Sequence, residues 1–178
     1  ETLLAQSLGV DVVIVDHHQV SNPEPVAIAH LNPHRVESSY PYTGLAAVGI
    51  AFMLLVELRR RADARDGMTV INRRIDRFLD LVALGTVADV APLTGINRAL
   101  VRYGLEQIKA GPRIGVEALC RVSGVDPVSI NEGDLGFKLG PRVNAAGRLE
   151  NAADGFVLLT EDDAQRANQM AVQIDAQN

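Results

Sequence analysis

The chain has 178 residues, 47% of them apolar, with 17 basic against 22 acidic side chains and a net charge of −5. This is enough for a real core in one domain or slightly more, and the charge has the wrong sign for a general nucleic-acid-binding surface, so any such contact must be local, metal-mediated or supplied from elsewhere. The single cysteine, Cys120, excludes an internal disulfide framework and fits a cytoplasmic setting, and the longest uncharged helical run, Gly44 to Val56, falls short of the ~20 residues of a membrane span.

Thr2 to Leu8 reads as a helix stopped by Gly9. Val10 to Val15 is dominated by β-branched residues and runs into Asp16-His17-His18, which predicts a buried parallel strand. Val26 to Leu31, closed by Asn32-Pro33, predicts a second strand. Tyr40 to Thr43 is a loop, with Thr43 placed to cap a helix that runs to about Ala64 and is stopped by Gly67. That helix is apolar nearly all round at its start, which predicts burial. Helical spacing returns over Asn72 to Val87, Gly95 to Ala110 and Ile114 to Val122. Beyond Gly124, Ser129 to Glu132 has capping-box spacing and leads into a Gly-punctuated loop from Gly133 to Gly147. Thr160-Glu161-Asp162-Asp163 opens a final helix. The fold class is therefore α/β, a parallel sheet flanked by helices and followed by a helical segment, with a soft boundary near residue 111. Glu1 is not a natural start, and the far end stops inside a helical pattern, so the chain reads as a fragment.

Asp16, His17 and His18 carry the chemistry. Ligands of open α/β sheets bind beyond the carboxyl ends of strands, and this tripeptide falls at such an end. Adjacent residues in a turn point apart, so one imidazole can bind a metal while the other faces a substrate. The carboxylate can orient a ligating histidine. A surface turn that happens to hold two histidines is the plain alternative. His30 reads as a satisfied interior histidine in its strand, and His34 carries no assigned chemistry. Tyr40 and Tyr42 offer rings for base stacking, but Pro41 between them suggests a rigid loop first.

Val13-Ile14-Val15-Asp16-His17-His18 resembles the motif that names the DHH phosphoesterase family. His30-Leu31-Asn32-Pro33, the glycine-bearing helix from Gly44 to Phe52, and Ala83 to Leu93 around Asp89 are similar to further motifs of that family, in the family's order. The stretch from Gly140 to Leu149 resembles one specific to its single-strand exonuclease branch. The resemblance implies a catalytic domain whose C-terminal part is residues 1–110. A helical extension with the Gly-rich loop follows over 111–160, and residues 161–178 begin an inter-domain linker helix. It also implies Mn²⁺- or Mg²⁺-dependent hydrolysis of phosphodiesters from a 5′ end of single-stranded DNA, in DNA repair and recombination, with a single-strand DNA-binding protein as a partner and no membrane.

Residue by residue, His17 and Asp89 resemble metal ligands, His18 a residue facing the scissile phosphate, and Asp16 a support of the site. Arg142, Asn144 and Arg148 become candidate substrate contacts, because Gly140 and Gly147 permit close backbone approach and guanidinium suits phosphate. The alternative is a structural loop with arginine heads on carbonyls or on acids such as Glu150. The family's two earlier aspartate motifs have no counterpart before Asp16, so the isolated chain is expected to bind metal weakly and to be inactive or nearly so. Two other readings stand beside this one. One is a phosphodiesterase for short RNA or cyclic dinucleotides, and the other is a catalytically dead DHH-fold module that binds DNA or a protein partner.

Overall fold

The computed structural model describes residues 1–66, 74–146 and 153–178. Helix α1 (Thr2–Ser7) leads to strand β1 (Val13–Val15), and β2 (Ala29–Leu31) lies parallel to it with Ile14 opposite His30. Both strands are shorter than the apolar runs predicted. They are only half-buried, with Val13 51% exposed and Ala29 opposite it also exposed, because the described sheet has two strands and its first pair of residues lies beyond the core that covers Val15 and Leu31. Val15 and Leu31 turn onto a small core with Leu45, Ile50, Val82 and Leu100. The ladder extends one bond beyond β1, where the Asp16 N–H donates to the Leu31 carbonyl at 3.0 Å. That bond fixes the start of the Asp16-His17-His18 turn.

Helix α2 (Ala47–Asp66) begins four residues after Thr43, so Thr43 does not cap it. The Asn97 amide explains the delay. It donates to the Gly44 carbonyl at 2.6 Å and to the Pro92 carbonyl at 3.0 Å, which holds residue 44 out of the helix. Burial of α2 is confined to one side at its start, since Ala51 is exposed and Leu58 nearly half-exposed. Its expected stop at Gly67 lies outside the described residues. A 3₁₀ turn (Ile75–Phe78) runs into α3 (Leu79–Ala88), while Asn72 and Arg73 of the predicted helix also lie outside the described residues. Helices α4 (Gly95–Ala110) and α5 (Ile114–Val122) fall where their apolar spacing places them.

The main core joins α3, α4 and α5 to everything after them, and it includes Ala83, Leu105, Ile108, Leu119, Leu139, Leu158 and Ala171. Helix α4 lies so close to α3 that a Cβ on Gly104 would sit 2.2 Å from the Leu79 carbonyl oxygen. Only glycine permits that approach. Asp80 is buried under the Arg113 guanidinium, which donates to its Oδ1 at 2.7 Å and to the Arg77 carbonyl at 2.9 Å.

The Gly-punctuated stretch is not a loop. It is a continuous helical path through α6 (Glu132–Asp134), a π-helical turn (Leu135–Leu139) and α7 (Gly140–Ala146). Its capping box sits at Asn131 and Asp134 rather than at Ser129: the Asn131 side chain accepts from the Gly133 and Asp134 N–H groups, and Asp134 accepts in return from the Asn131 N–H. The glycines serve packing. A Cβ on Gly136 would meet Val87 at 3.2 Å, and one on Gly140 would meet the Leu135 carbonyl oxygen at 2.9 Å and Ala88 at 3.1 Å. The stretch thus rests on the last turn of α3. Helix α8 (Asp154–Thr160) lies within the stretch read as loop and extension, and it ends where the backbone of Glu161 turns extended. Helix α9 (Ala164–Gln177) starts at Asp163, whose side chain accepts from the Arg166 N–H at 2.8 Å. No helix among the described residues is long and apolar enough to cross a membrane.

Candidate metal centre

Two chain segments far apart in sequence meet at the end of β1. His17 comes from the turn after the strand, and Asp89 is the C-cap of α3. The His17 Nε2 lies 3.5 Å from the Asp89 Oδ2, with His17 mostly covered and Asp89 a little over a third exposed. Nitrogen and oxygen donors at that separation can bind one divalent ion together, and both suit manganese. Among the described residues no group of three histidine, cysteine or acidic side chains gathers around one point. The residues present therefore fit two positions of one ion's shell, and a two-metal centre requires more donors.

Asp89 is held in place by an unusual helix end. Val90 follows it with φ of +57°, a left-handed conformation that β-branched residues rarely adopt. The Val90 N–H bonds the Val87 carbonyl and the Ala91 N–H bonds the Thr86 carbonyl, the pattern by which a glycine ordinarily closes a helix. Beyond it, the Tyr42 hydroxyl lies 3.1 Å from the Thr94 carbonyl and 3.2 Å from that of Pro92. The loop after Asp89 is thereby tied to the loop that precedes α2, and the hydroxyl of Tyr42 is spent on structure.

The expectation that Asp16 orients the ligating histidine is met differently. Its Oδ1 lies 2.7 Å from Nδ1 of His18, not from His17. Asn32 braces the turn by donating to the His18 carbonyl at 2.9 Å and more loosely to the Asp16 Oδ2 at 3.5 Å. Burial alone would push the Asp16 carboxyl up. The hydrogen bonds from the His18 ring and from the His18 and His17 backbone outweigh it and hold the carboxyl below its ordinary value. Its hydrogen bond to Asp16, then the Asp16 charge, push the His18 imidazole above its ordinary value, and Asp89 adds a little in the same direction. With Nδ1 engaged, the exposed Nε2 of His18 points a charge-prone donor outward, which suits an anionic oxygen. The two imidazole rings lie 4.4 Å apart between centroids.

The candidate substrate contacts separate. Asn144 is exposed and shares with Asp89 a cleft of about 430 Å³ floored by Val48, Leu84 and Val143. Arg142 is occupied elsewhere: its Nε donates to the Asp175 Oδ1 at 2.7 Å and its Nη1 to the Lys138 carbonyl at 2.7 Å, pinning α7 to α9. Arg148 and Gly147 lie outside the described residues. His30 is interior as expected; among the described residues neither ring nitrogen makes a hydrogen bond, and the Glu24 carboxylate lies 3.4 Å from its Nδ1. Two residues that position the site were not read as doing so from the sequence, Asn32 and Val90. An Asn-Pro pair closing a strand was a visible signal for the first. A valine at a helix end gives none for the second.

Residues 1–86 match the model of the DHH family, N-terminal domain. The chain is 42% identical over 178 residues to the single-stranded-DNA-specific exonuclease RecJ of Escherichia coli, covering 98% of this chain and 31% of that protein. It is 37% identical over 178 residues to the RecJ of Bacillus subtilis, covering 100% of this chain and 21% of that one. It thus spans about a third of its curated relatives' length or less. Among solved structures it resembles RecJ of Thermus thermophilus in complex with Mn²⁺, with a TM-score of 0.80 and 32% identity over 97% of this chain and 25% of that chain. The same protein in complex with Mg²⁺ gives a TM-score of 0.73 over 94% of this chain. Residues 1–86 are thus similar to the N-terminal domain of the DHH family, and the chain as a whole is similar to a part of RecJ.

Proposed function

We propose that this chain forms part of a metal-dependent 5′-to-3′ single-stranded DNA exonuclease, hydrolysing phosphodiester bonds in DNA repair and recombination. The observation that carries the reading is the 3.5 Å approach of the His17 Nε2 to the Asp89 Oδ2 across two elements with no sequence proximity. The likeness to proteins named as single-stranded-DNA-specific exonucleases, and to one solved with Mn²⁺ and with Mg²⁺, supports both substrate and ion.

In this reading His17 and Asp89 hold a Mn²⁺ or Mg²⁺. A bound divalent ion supplies an activated water and a counter-charge for phosphate oxygens. The chain's own residues do the rest. Asp16 keeps the His18 ring turned outward and favours its protonated form, so His18 offers an N–H to a non-bridging phosphate oxygen. Asn32 fixes the turn so that the two imidazoles serve different partners. Asn144 contacts the strand across the cleft from Asp89, and Arg148 is a further substrate contact. Arg142 reaches DNA only by giving up Asp175, so its first task is to pin α7. A single-strand DNA-binding protein as partner and the cytoplasm as setting belong to the same proposal.

The test is Mn²⁺-dependent digestion of 5′-ended single-stranded DNA by the protein that carries this chain. His17→Ala and Asp89→Ala should each lower the rate at least about a hundredfold, the upper range for losing even an outer partner of a metal site. His18→Ala should slow cleavage with Mn²⁺ affinity unchanged. Full activity in either ligand variant would sink the proposal.

A further inference from the structure

We infer that Phe137 is a stacking platform for a base of the single strand, on the same side of the helical path from Glu132 to Ala146 as Asn144. Phe137 is 86% exposed, while Leu135 and Leu139 on either side of it are fully buried. Single exposed apolar side chains are ordinary; placement sets this one apart. Gly136 packs against Val87 and Gly140 against Ala88, so Phe137 stands beside the last turn of α3, the turn that Asp89 caps. Pro141 and Asn144 follow it at four and seven residues, the spacing of one helix face. Asn144 lines the cleft that Asp89 also lines. Val90, directly after Asp89, is 88% exposed, so a second apolar side chain is bare at the same helix end. The turn that carries Phe137 is π-helical, a rare geometry that recurs at functional sites.

The surroundings select the face of a base over a phosphate. The cations along this part of the path are spent, Lys138 on Asp134 at 2.7 Å and Arg142 on Asp175 at 2.6 Å. With both engaged, Phe137 has only the face of its ring to offer. Every nucleobase presents a π face of its own, so stacking grips a strand without reading its sequence. Bases inside a duplex are already stacked on each other, and the ring therefore favours a single strand. Its place beside the Asp89 cleft lets it hold a base near the metal pair while Asn144 contacts the strand further along the same face. The choice of a nucleic-acid strand rests on the nucleolytic reading above; the bare ring beside the Asp89 cleft does not.

The experiment compares binding of a short oligothymidylate and of an abasic strand of the same length by the protein that carries this chain, without divalent ion so that neither is cut. Phe137→Ala should weaken the oligothymidylate at least about fivefold, the low end for losing one stacked base. It should leave the abasic strand, the melting temperature and the salt slope unchanged, because no phosphate contact is lost. Phe137→Trp should keep the parent's affinity. Tyr103→Ala, which removes an exposed ring on α4, should have no effect. Unchanged affinity in Phe137→Ala, an equal loss on both strands, or an equal loss in Tyr103→Ala would overturn the inference. So would a lowered melting temperature, which would mean that the ring packs against another part of the protein. Mn²⁺-dependent digestion by the same parent protein separates the two proposals. Digestion with unaltered binding in Phe137→Ala removes the platform alone, and Phe137-dependent binding without digestion removes the nuclease reading alone.

Discussion

The two ends of α3 live under opposite rules. At its start Asp80 is buried and clasped by Arg113, and the neighbouring wall of α4 at Gly104 leaves no space for a methyl group. At its end Asp89 is part-exposed, faces a histidine instead of an arginine, and is followed by a valine in a glycine's conformation. A carboxylate whose charge is fully answered by a guanidinium stabilises the fold and has nothing left for a ligand. A carboxylate answered only by an imidazole, at a strained and open helix end, keeps lone pairs free for an ion. Strain of this kind is concentrated where sites form.

The largest test of that contrast is at the closed end. Asp80→Ala takes the carboxylate from the part-buried Arg113 guanidinium, which keeps only the Arg77 and Leu159 carbonyls, and should cost about 3 kcal/mol. In a chain of this size that lowers the melting temperature by roughly 10 °C. Gly104→Ala should cost about as much as severe overpacking, some 3 kcal/mol, because the obstructing atom is a backbone oxygen that cannot turn aside. If either variant melts within a degree or two of the parent, the closed end is not what holds α3.

At the open end the expected effects fall on ligand binding. Asp89→Ala should weaken Mn²⁺ binding, followed by calorimetry or electron paramagnetic resonance, at least about tenfold while leaving the melting temperature nearly unchanged. A large loss of stability would mean that Asp89 is structural, like Asp80. Val90→Gly goes in the opposite direction. Relief of the left-handed strain, partly offset by the entropy of glycine, should stabilise by about 1 kcal/mol, or some 2–4 °C. An unchanged or lower melting temperature would remove strain from the account.

The smallest effect concerns Cys120, which lies wholly in the closed core. Burial pushes its thiol up to about 11, with lesser help from Asp134, Glu117 and Asp126. Because the folded value is raised, its contribution is fully present below the ordinary thiol value near 9 and is lost as pH rises towards 11. Urea unfolding at pH 8 and pH 10 should therefore show a modest decline that Cys120→Ala abolishes. A native thiol that reacts freely with a disulfide reagent at pH 8 would contradict the burial.

Legibility followed the range of the forces involved. Helices α4 and α5 could be read residue for residue, since a 3.6-residue apolar period and glycine stops are local signals. The parallel strands were legible in kind but not in burial, because burial depends on what covers a sheet. The stretch from Gly133 to Gly147 misled, because glycine permits both a loop and a close helix contact, and only the neighbouring turn of α3 decides between them. The DHH turn was visible as a tripeptide after a strand. Its internal wiring was not, because which of two adjacent histidines meets Asp16 depends on a turn geometry set by Asn32.

By itself the sequence determined the helical periods, the strand that ends in two histidines, and the residue types able to hold a divalent ion. All of these are written in neighbouring side chains. Only the folded chain decided that Asp89 reaches His17, that Arg142 is spent on Asp175, and that His30 is buried beside Glu24. Each of those outcomes depends on which distant backbone segments pack together, and packing is a property of the assembled core that no local window contains.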